Sequence, residues 1–174
     1  NNTLLEELIC MGNQLTNLDI SQNINLRELY ISNNPISIID ISQNVNLDEF
    51  VCMNTDLVCI DITQNTALTE LSCSNNMYLN HLNTRNGNPY ILDVYANNNN
   101  LSCIEVDNIG YSQNNWLFDS FTTLDTNCNY TNQCNLNGCM DPLALNYDPL
   151  ATIDDGSCTY SSNCTSPKPT GLFA

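Results

Sequence analysis

Carboxylates and thiols are the reactive groups that recur in this chain with regular spacing. Glu7, Glu28, Glu49 and Glu70 return every 21 residues, as do Asp19, Asp40 and Asp61. If such residues stack on neighbouring strands, carboxylates about 5 Å apart repel and invite a cation, although water screens an exposed row equally well. Ten cysteines are present, five of them within residues 128–164. Cys10, Cys52 and Cys73 share a phase with Ile31, so they read as small buried hydrophobes. A zinc site would ask for C-x-x-C pairs with histidine. No such pair occurs, and His81, the one histidine, is expected to be exposed and inert. There is no nucleophile elbow, no phosphate-cradling glycine loop and no histidine placed to serve a Ser or Cys nucleophile, so no catalytic residues are expected.

The spacing of these groups implies the elements that hold them. Leu5, Leu26, Leu47 and Leu68 are spaced by 21 residues, followed by Leu8, Leu29, Phe50 and Leu71, then by Cys10, Ile31, Cys52 and Cys73. One further period reaches Leu92, Val94 and Asn97, the last in phase with Asn13, Asn34 and Asn76, and Thr55 replaces Asn in the third copy. A second half-repeat runs Leu18–Asn23, Ile39–Asn44 and Ile60–Asn65. Each repeat offers two short apolar segments of period two, too small to bury alone, so stacked coils must share one core. An asparagine at each turn can satisfy backbone groups of the neighbouring coil.

This pattern, L-x-x-L-x-[C/I/V]-x-x-N, resembles the short Asn-rich leucine-rich repeats of secreted Bacteroidetes proteins. The resemblance implies a mainly β solenoid over residues 1–106, with Leu8, Leu29, Phe50, Leu71 and Leu92 stacked inside. Tyr78–Asn88 keeps phase only with a one-residue shift and reads as a bulge or loop. Leu101–Val106 is the last regular half-turn. Residues 107–128, where periodicity stops and Tyr111, Trp116, Phe118 and Phe121 gather, are expected to be a C-terminal cap, and the YS-x-x-NW string resembles the end-cap of the same proteins.

Residues 129–164 form a different segment. The string GCMDPLALNYDPLATIDDGSC, residues 138–158, resembles a small Cys-framed repeat of extracellular proteins in marine bacteria and some algae, for which a spacer or calcium-binding role is implied. So few apolar groups cannot hold a core without staples. A Cys139–Cys158 bridge would contribute on the order of 3 kcal/mol. Cys134 and Cys164 flank it as an outer pair, and Cys103 with Cys128 would pin the cap, although sequence leaves connectivity open. Asp141, Asn146, Asp148, Asp154 and Asp155 supply the oxygens calcium needs. Equally, Asp141 could cap a turn, and Asp154-Asp155-Gly156 could be one. Residues 165–174 alternate proline as a linker does, and resemble the opening strand of a fibronectin type III domain.

Charge narrows the function classes. The chain has 174 residues, 19 acidic against three basic, for a net charge of -16. That argues against nucleic acid and anionic membranes, and no apolar run is long enough to span a bilayer. Clustered cysteines point to an oxidising, extracellular compartment. Alternation with the buried leucines exposes Ile9, Met11, Tyr30, Val51, Met53 and Tyr95 as a ligand face suited to protein or carbohydrate. The expectation is a non-enzymatic segment of a larger bacterial surface or secreted protein acting in adhesion or ligand binding, which by resemblance would be type IX secretion cargo. The alternatives are a self-associating subunit of a surface filament, or the non-catalytic appendage of a secreted hydrolase.

Overall fold

The computed structural model describes residues 2–90, 93–129, 134, 137–139, 141–147, 153–154 and 156–160. The chain divides into two compact units, Asn1–Cys134 and Asn135–Ala174. The linker and fibronectin-like string at 165–174 lie outside the described residues, and the unit boundary falls a few residues after the expected 128/129 junction.

The first unit is a β-solenoid of leucine-rich-repeat type. Its elements are β1 (Glu7–Ile9), β2 (Glu28–Tyr30), β3 (Glu49–Val51), β4 (Cys59–Asp61), β5 (Glu70–Ser72), β6 (His81–Asn83), β7 (Asp93–Ala96), β8 (Cys103–Glu105), α1 (Ile109–Asn115), β9 (Leu117–Phe118) and β10 (Thr123–Asp125). Two parallel sheets run along the coil stack. One has the order β1-β2-β3-β5-β7-β9, the other β10-β8-β6-β4. Each strand sends its middle residue inward, which is what a period-two triplet with one leucine dictates. Leu29, Phe50, Leu71 and Val94 meet from one sheet, Ile60, Leu82 and Ile104 from the other, all buried in one cluster. Leu26, Leu47 and Leu68 fill the corners with no exposure at all.

Buried amides close the turns. Asn34 donates from Nδ2 to the carbonyls of Ile31 in its own coil and Cys10 in the preceding one, both at 2.9 Å. Asn76 does the same for Cys73 and Cys52. Thr55 stands in for the missing asparagine, its one hydroxyl proton shared between Asn76 Oδ1 at 2.9 Å and Cys52 O at 3.2 Å. A second row at the opposite turn links Asn44 to Ile20 and Asn23, and Asn65 to Ile41 and Asn44. The residue before each amide of the first row adopts left-handed backbone: Gly12, Asn33, Asn54, Asn75 and Asn98 have φ between 53° and 69°. Glycine and asparagine tolerate that region best, which accounts for part of the asparagine excess. The Asp row is also a turn device: Asp19, Asp40 and Asp61 each accept the amide two residues on, from Ser21, Ser42 and Thr63.

Three expectations need correction. β5 pairs with β7 so that Leu71 faces Val94 and Ser72 faces Tyr95. Asn99, donating to Ala96 O, therefore takes the place given to Asn97, which puts two extra residues ahead of β7. Leu92 lies outside the described residues. Second, the coil does not end at 106. β9 extends the six-stranded sheet beyond β7, and β10 lies in register with β8, so residues 107–128 add another turn in which α1, capped by Asn108 through the Tyr111 amide, replaces an extended segment. Third, His81 is buried at 3% exposure in β6, opposite Cys59.

The second unit carries β11 (Asn137–Gly138) paired in parallel with β12 (Ile153–Asp154), and a bridge between Cys139 and Tyr147.

The amide row generates a test. Asn76→Ala removes donors to two buried carbonyls and the acceptor of Thr55, and should cost about 2–3 kcal/mol in chemical denaturation. The exposed Asn13→Ala should cost under about 1 kcal/mol. Equal costs would show that the buried amide is not what closes the turn.

Candidate functional site

In-register stacking turns the repeated glutamates into a row. Glu7 pairs with Glu28, Glu28 with Glu49, Glu49 with Glu70, and Glu70 with Asp93, one residue per strand. Strands about 4.8 Å apart put five carboxylates along one outer face. Two residues on, and on the same face, runs a second row: Ile9, Tyr30, Val51, Ser72, Tyr95 and Leu117. Ile9, Tyr95 and Leu117 are exposed at 59%, 40% and 53%.

The acidic row is partly neutralised by its own neighbours. The Tyr30 hydroxyl donates to Glu28 Oε2 at 3.0 Å. Burial first, then the Glu49 and Glu28 carboxylates, push the Tyr30 hydroxyl above its ordinary range. Arg27 pairs with Asp48 beside the row. Glu70 has no such relief: burial, then Glu49 and Asp93 on the flanking strands, raise its carboxyl above the usual value.

The six residues expected on a ligand face separate. Ile9, Met11 and Tyr95 are exposed, Tyr30 and Met53 half-buried, and Val51 buried in register between Tyr30 and Ser72. Leu117 belongs to this face and was missed, because it follows the helix that interrupts the period. Asp93 and Tyr95 lie on this face as expected but two residues out of phase, so that Asp93 continues the glutamate row instead of the Ile9 row.

Of the calcium set, only the side chains of Asp141 and Asn146 are among the described residues. Asp141 accepts the Leu143 amide at 2.9 Å and the Tyr160 hydroxyl at 2.6 Å, which together hold its carboxyl below the usual range. Asn146 Oδ1 accepts both the amide and hydroxyl of Thr159, while its Nδ2 donates to Ser157 O. Both residues thus knit the second unit together. Asp154 is described only through its backbone in β12, and Asp148 and Asp155 lie outside the described residues.

Among the described residues, three disulfides join Cys59–Cys134, Cys103–Cys128 and Cys139–Cys158. The outer pair expected between Cys134 and Cys164 is overturned: Cys134 bonds Cys59, 75 residues back, and Cys164 lies outside the described residues. No spacing rule links positions so far apart. Cys10, Cys52 and Cys73 are free thiols. Burial pushes Cys73 up to about 12, and burial, then Cys73, raises Cys52, so neither thiol readily forms the reactive thiolate.

With this geometry in view, three comparisons with known proteins add context. No family model matches the chain. The chloroplastic ribulose bisphosphate carboxylase/oxygenase activase of Spinacia oleracea is 71% identical over 24 residues, 14% of this chain and 5% of that protein. The solved functional domain of InlJ from Listeria monocytogenes, described as including a cysteine ladder, superposes with a TM-score of 0.54 at 25% identity. The match covers 78% of this chain and 35% of that one. The chain thus spans about a third of the solved structure it resembles and a twentieth of the curated protein. The InlJ likeness agrees with the coil stack and with the core row of Cys10, Cys52 and Cys73. Disulfides fit an oxidising environment outside the cytosol. Among the described residues no helix is long and apolar enough to cross a membrane.

The raised Glu70 carboxyl sets a pH dependence. Its folded value lies above the unfolded 4.5, so its charged form opposes folding. The stability this group contributes is fully present below pH 4.5 and is lost as pH rises through the folded value. Glu70→Gln should therefore raise the melting temperature at pH 7 and leave it unchanged near pH 4, read by thermal scans at both. A variant that destabilises at pH 7 would show that the Glu70 carboxylate is held by attraction instead.

Proposed function

We propose that the chain is a non-enzymatic recognition segment of a larger extracellular protein, holding a basic protein partner against the outer face of its six-stranded sheet. One observation carries the reading: five carboxylates from Glu7 to Asp93 stand in register beside exposed Ile9, Tyr95 and Leu117. An apolar strip rimmed by a single sign of charge gives both contact area and electrostatic steering. A net charge of -16 works against acidic partners and for cationic ones. The likeness to the InlJ functional domain supports a solenoid of this type used as a module within a longer protein. The parent is a bacterial surface or secreted protein by repeat resemblance, which also implies type IX secretion. The second unit, tied by Cys139–Cys158 and by the Asp141 and Asn146 hydrogen bonds, serves as a compact spacer.

An array of basic proteins, acidic proteins and neutral glycans tests this, probed with the labelled full chain. Binding should concentrate on the basic proteins and weaken steeply as salt shortens the screening length. The double change Glu28→Lys and Glu49→Lys should cost about tenfold or more in affinity. Binding confined to neutral glycans, or insensitive to salt and to both substitutions, would overturn the reading.

A further inference from the structure

Two sulfurs and a buried imidazole converge on the four-stranded sheet, far from the acidic face in sequence phase. β4 and β6 pair with Cys59 directly opposite His81. Cys134 arrives at the same place from the end of the first unit, bonded to Cys59. One sulfur from each cysteine and one ring nitrogen of His81 all lie within 4.8 Å of one another. His81 is almost fully buried and both cysteines are half-buried. A disulfide staple needs only its two cysteines, so it does not account for an imidazole within 4.8 Å of both sulfurs in a largely apolar interior.

We propose that Cys59, Cys134 and His81 form a redox-gated site for zinc. In the oxidised protein the sulfurs are bonded to each other and cannot take a metal. An external dithiol reduces the bond: the protein gains two thiols, and the dithiol is oxidised to its own disulfide. The two thiols then release two protons to the medium as both sulfurs and the neutral imidazole bind one Zn²⁺. Zinc takes sulfur at about 2.3 Å and nitrogen at about 2.0–2.1 Å, which places tetrahedral ligand atoms roughly 3.5 Å apart. The imidazole nitrogen already lies within 4.8 Å of both sulfurs, and breaking the disulfide frees the sulfurs to part from bonding distance to that spacing. Two sulfurs and a nitrogen are soft to borderline donors, which select zinc over calcium or magnesium. Three protein ligands leave the fourth position to water. Bound zinc would keep the residue 134 end of the unit anchored to β4 while the disulfide is open, so the same residues staple the solenoid in either redox state.

The test uses the full chain, reduced with a dithiol, desalted without oxygen, and titrated with Co²⁺ and then Zn²⁺. One equivalent of Co²⁺ should bind with a thiolate-to-cobalt charge-transfer band, and Zn²⁺ should displace it. The oxidised chain should show no such band. Zn²⁺ should raise the melting temperature of the reduced chain and leave that of the oxidised chain unchanged. The band should vanish in the Cys59→Ser, Cys134→Ser double variant, and His81→Ala should weaken binding by at least about tenfold. If the double variant fails to fold, His81→Ala and the reduced parent chain carry the test. Absence of binding in the reduced chain, loss of β circular dichroism on reduction, or a band unaffected by both sets of substitutions would each overturn the proposal. The last outcome would assign the metal to the other cysteines. None of these results depends on the acidic face binding a partner.

Discussion

Everything in the solenoid rests on the way one coil closes on the next through a buried side-chain amide. A three-residue strand has almost no stability of its own, and its turn leaves carbonyls facing the interior where water cannot reach them. Asn34 and Asn76 each serve two such carbonyls, one in their own coil and one in the coil before. Their Oδ1 atoms complete the exchange from the other side, accepting the amides of Leu15 and Thr55. The coil can therefore repeat only where the amide, the left-handed residue before it and the inward leucine recur together. Not every atom is satisfied: Asn44 Oδ1 and Asn65 Oδ1 are buried without a hydrogen-bond partner. The second row gains its donors at that cost.

The same constraint makes the surface. Parallel strands held in one register place like residues side by side, so a glutamate that is harmless in one repeat becomes a row of repelling charge in five. Tyr30 relieves Glu28 by a hydrogen bond, whereas burial, then Glu49 and Asp93, raises the Glu70 carboxyl. A face so loaded is a poor outcome for folding alone. It is a good outcome for a segment whose partner brings the opposite charge. On the proposed reading, folding and recognition pull in opposite directions at Glu70.

Much of this was legible in the residues. The inward Leu29, Phe50 and Leu71, the stacked glutamates and the buried Cys52 and Cys73 all follow from a 21-residue period, because each is fixed by position within a repeat. What broke the period broke the reading. Two extra residues ahead of β7 shifted Val94, Ala96 and Asn99 into places assigned to Leu92, Val94 and Asn97. A seven-residue helix hid the last turn of the coil, and with it Leu117. The meeting of Cys59, His81 and Cys134 was out of reach for a different reason: it joins a regular strand, an off-phase strand and a residue beyond the repeats. His81 reads as exposed in an irregular coil, yet the one-residue shift that makes that coil irregular is what seats it opposite Cys59.

Native-state hydrogen exchange at Thr55 and Asn76 tests most directly whether buried amides hold the coils together. The amides of these two turn residues donate to Oδ1 of Asn76 and Asn99 in the following coil, at 2.7 and 2.8 Å. If those contacts hold the stack, both turn amides should exchange as slowly as the strand-end amides of Cys52 and Cys73, which bond to neighbouring backbone carbonyls. Exchange at the rate of unprotected surface amides, with Cys52 and Cys73 still protected, would contradict it. The coils would then be held by their apolar core and the sheet hydrogen bonds, without the buried amides.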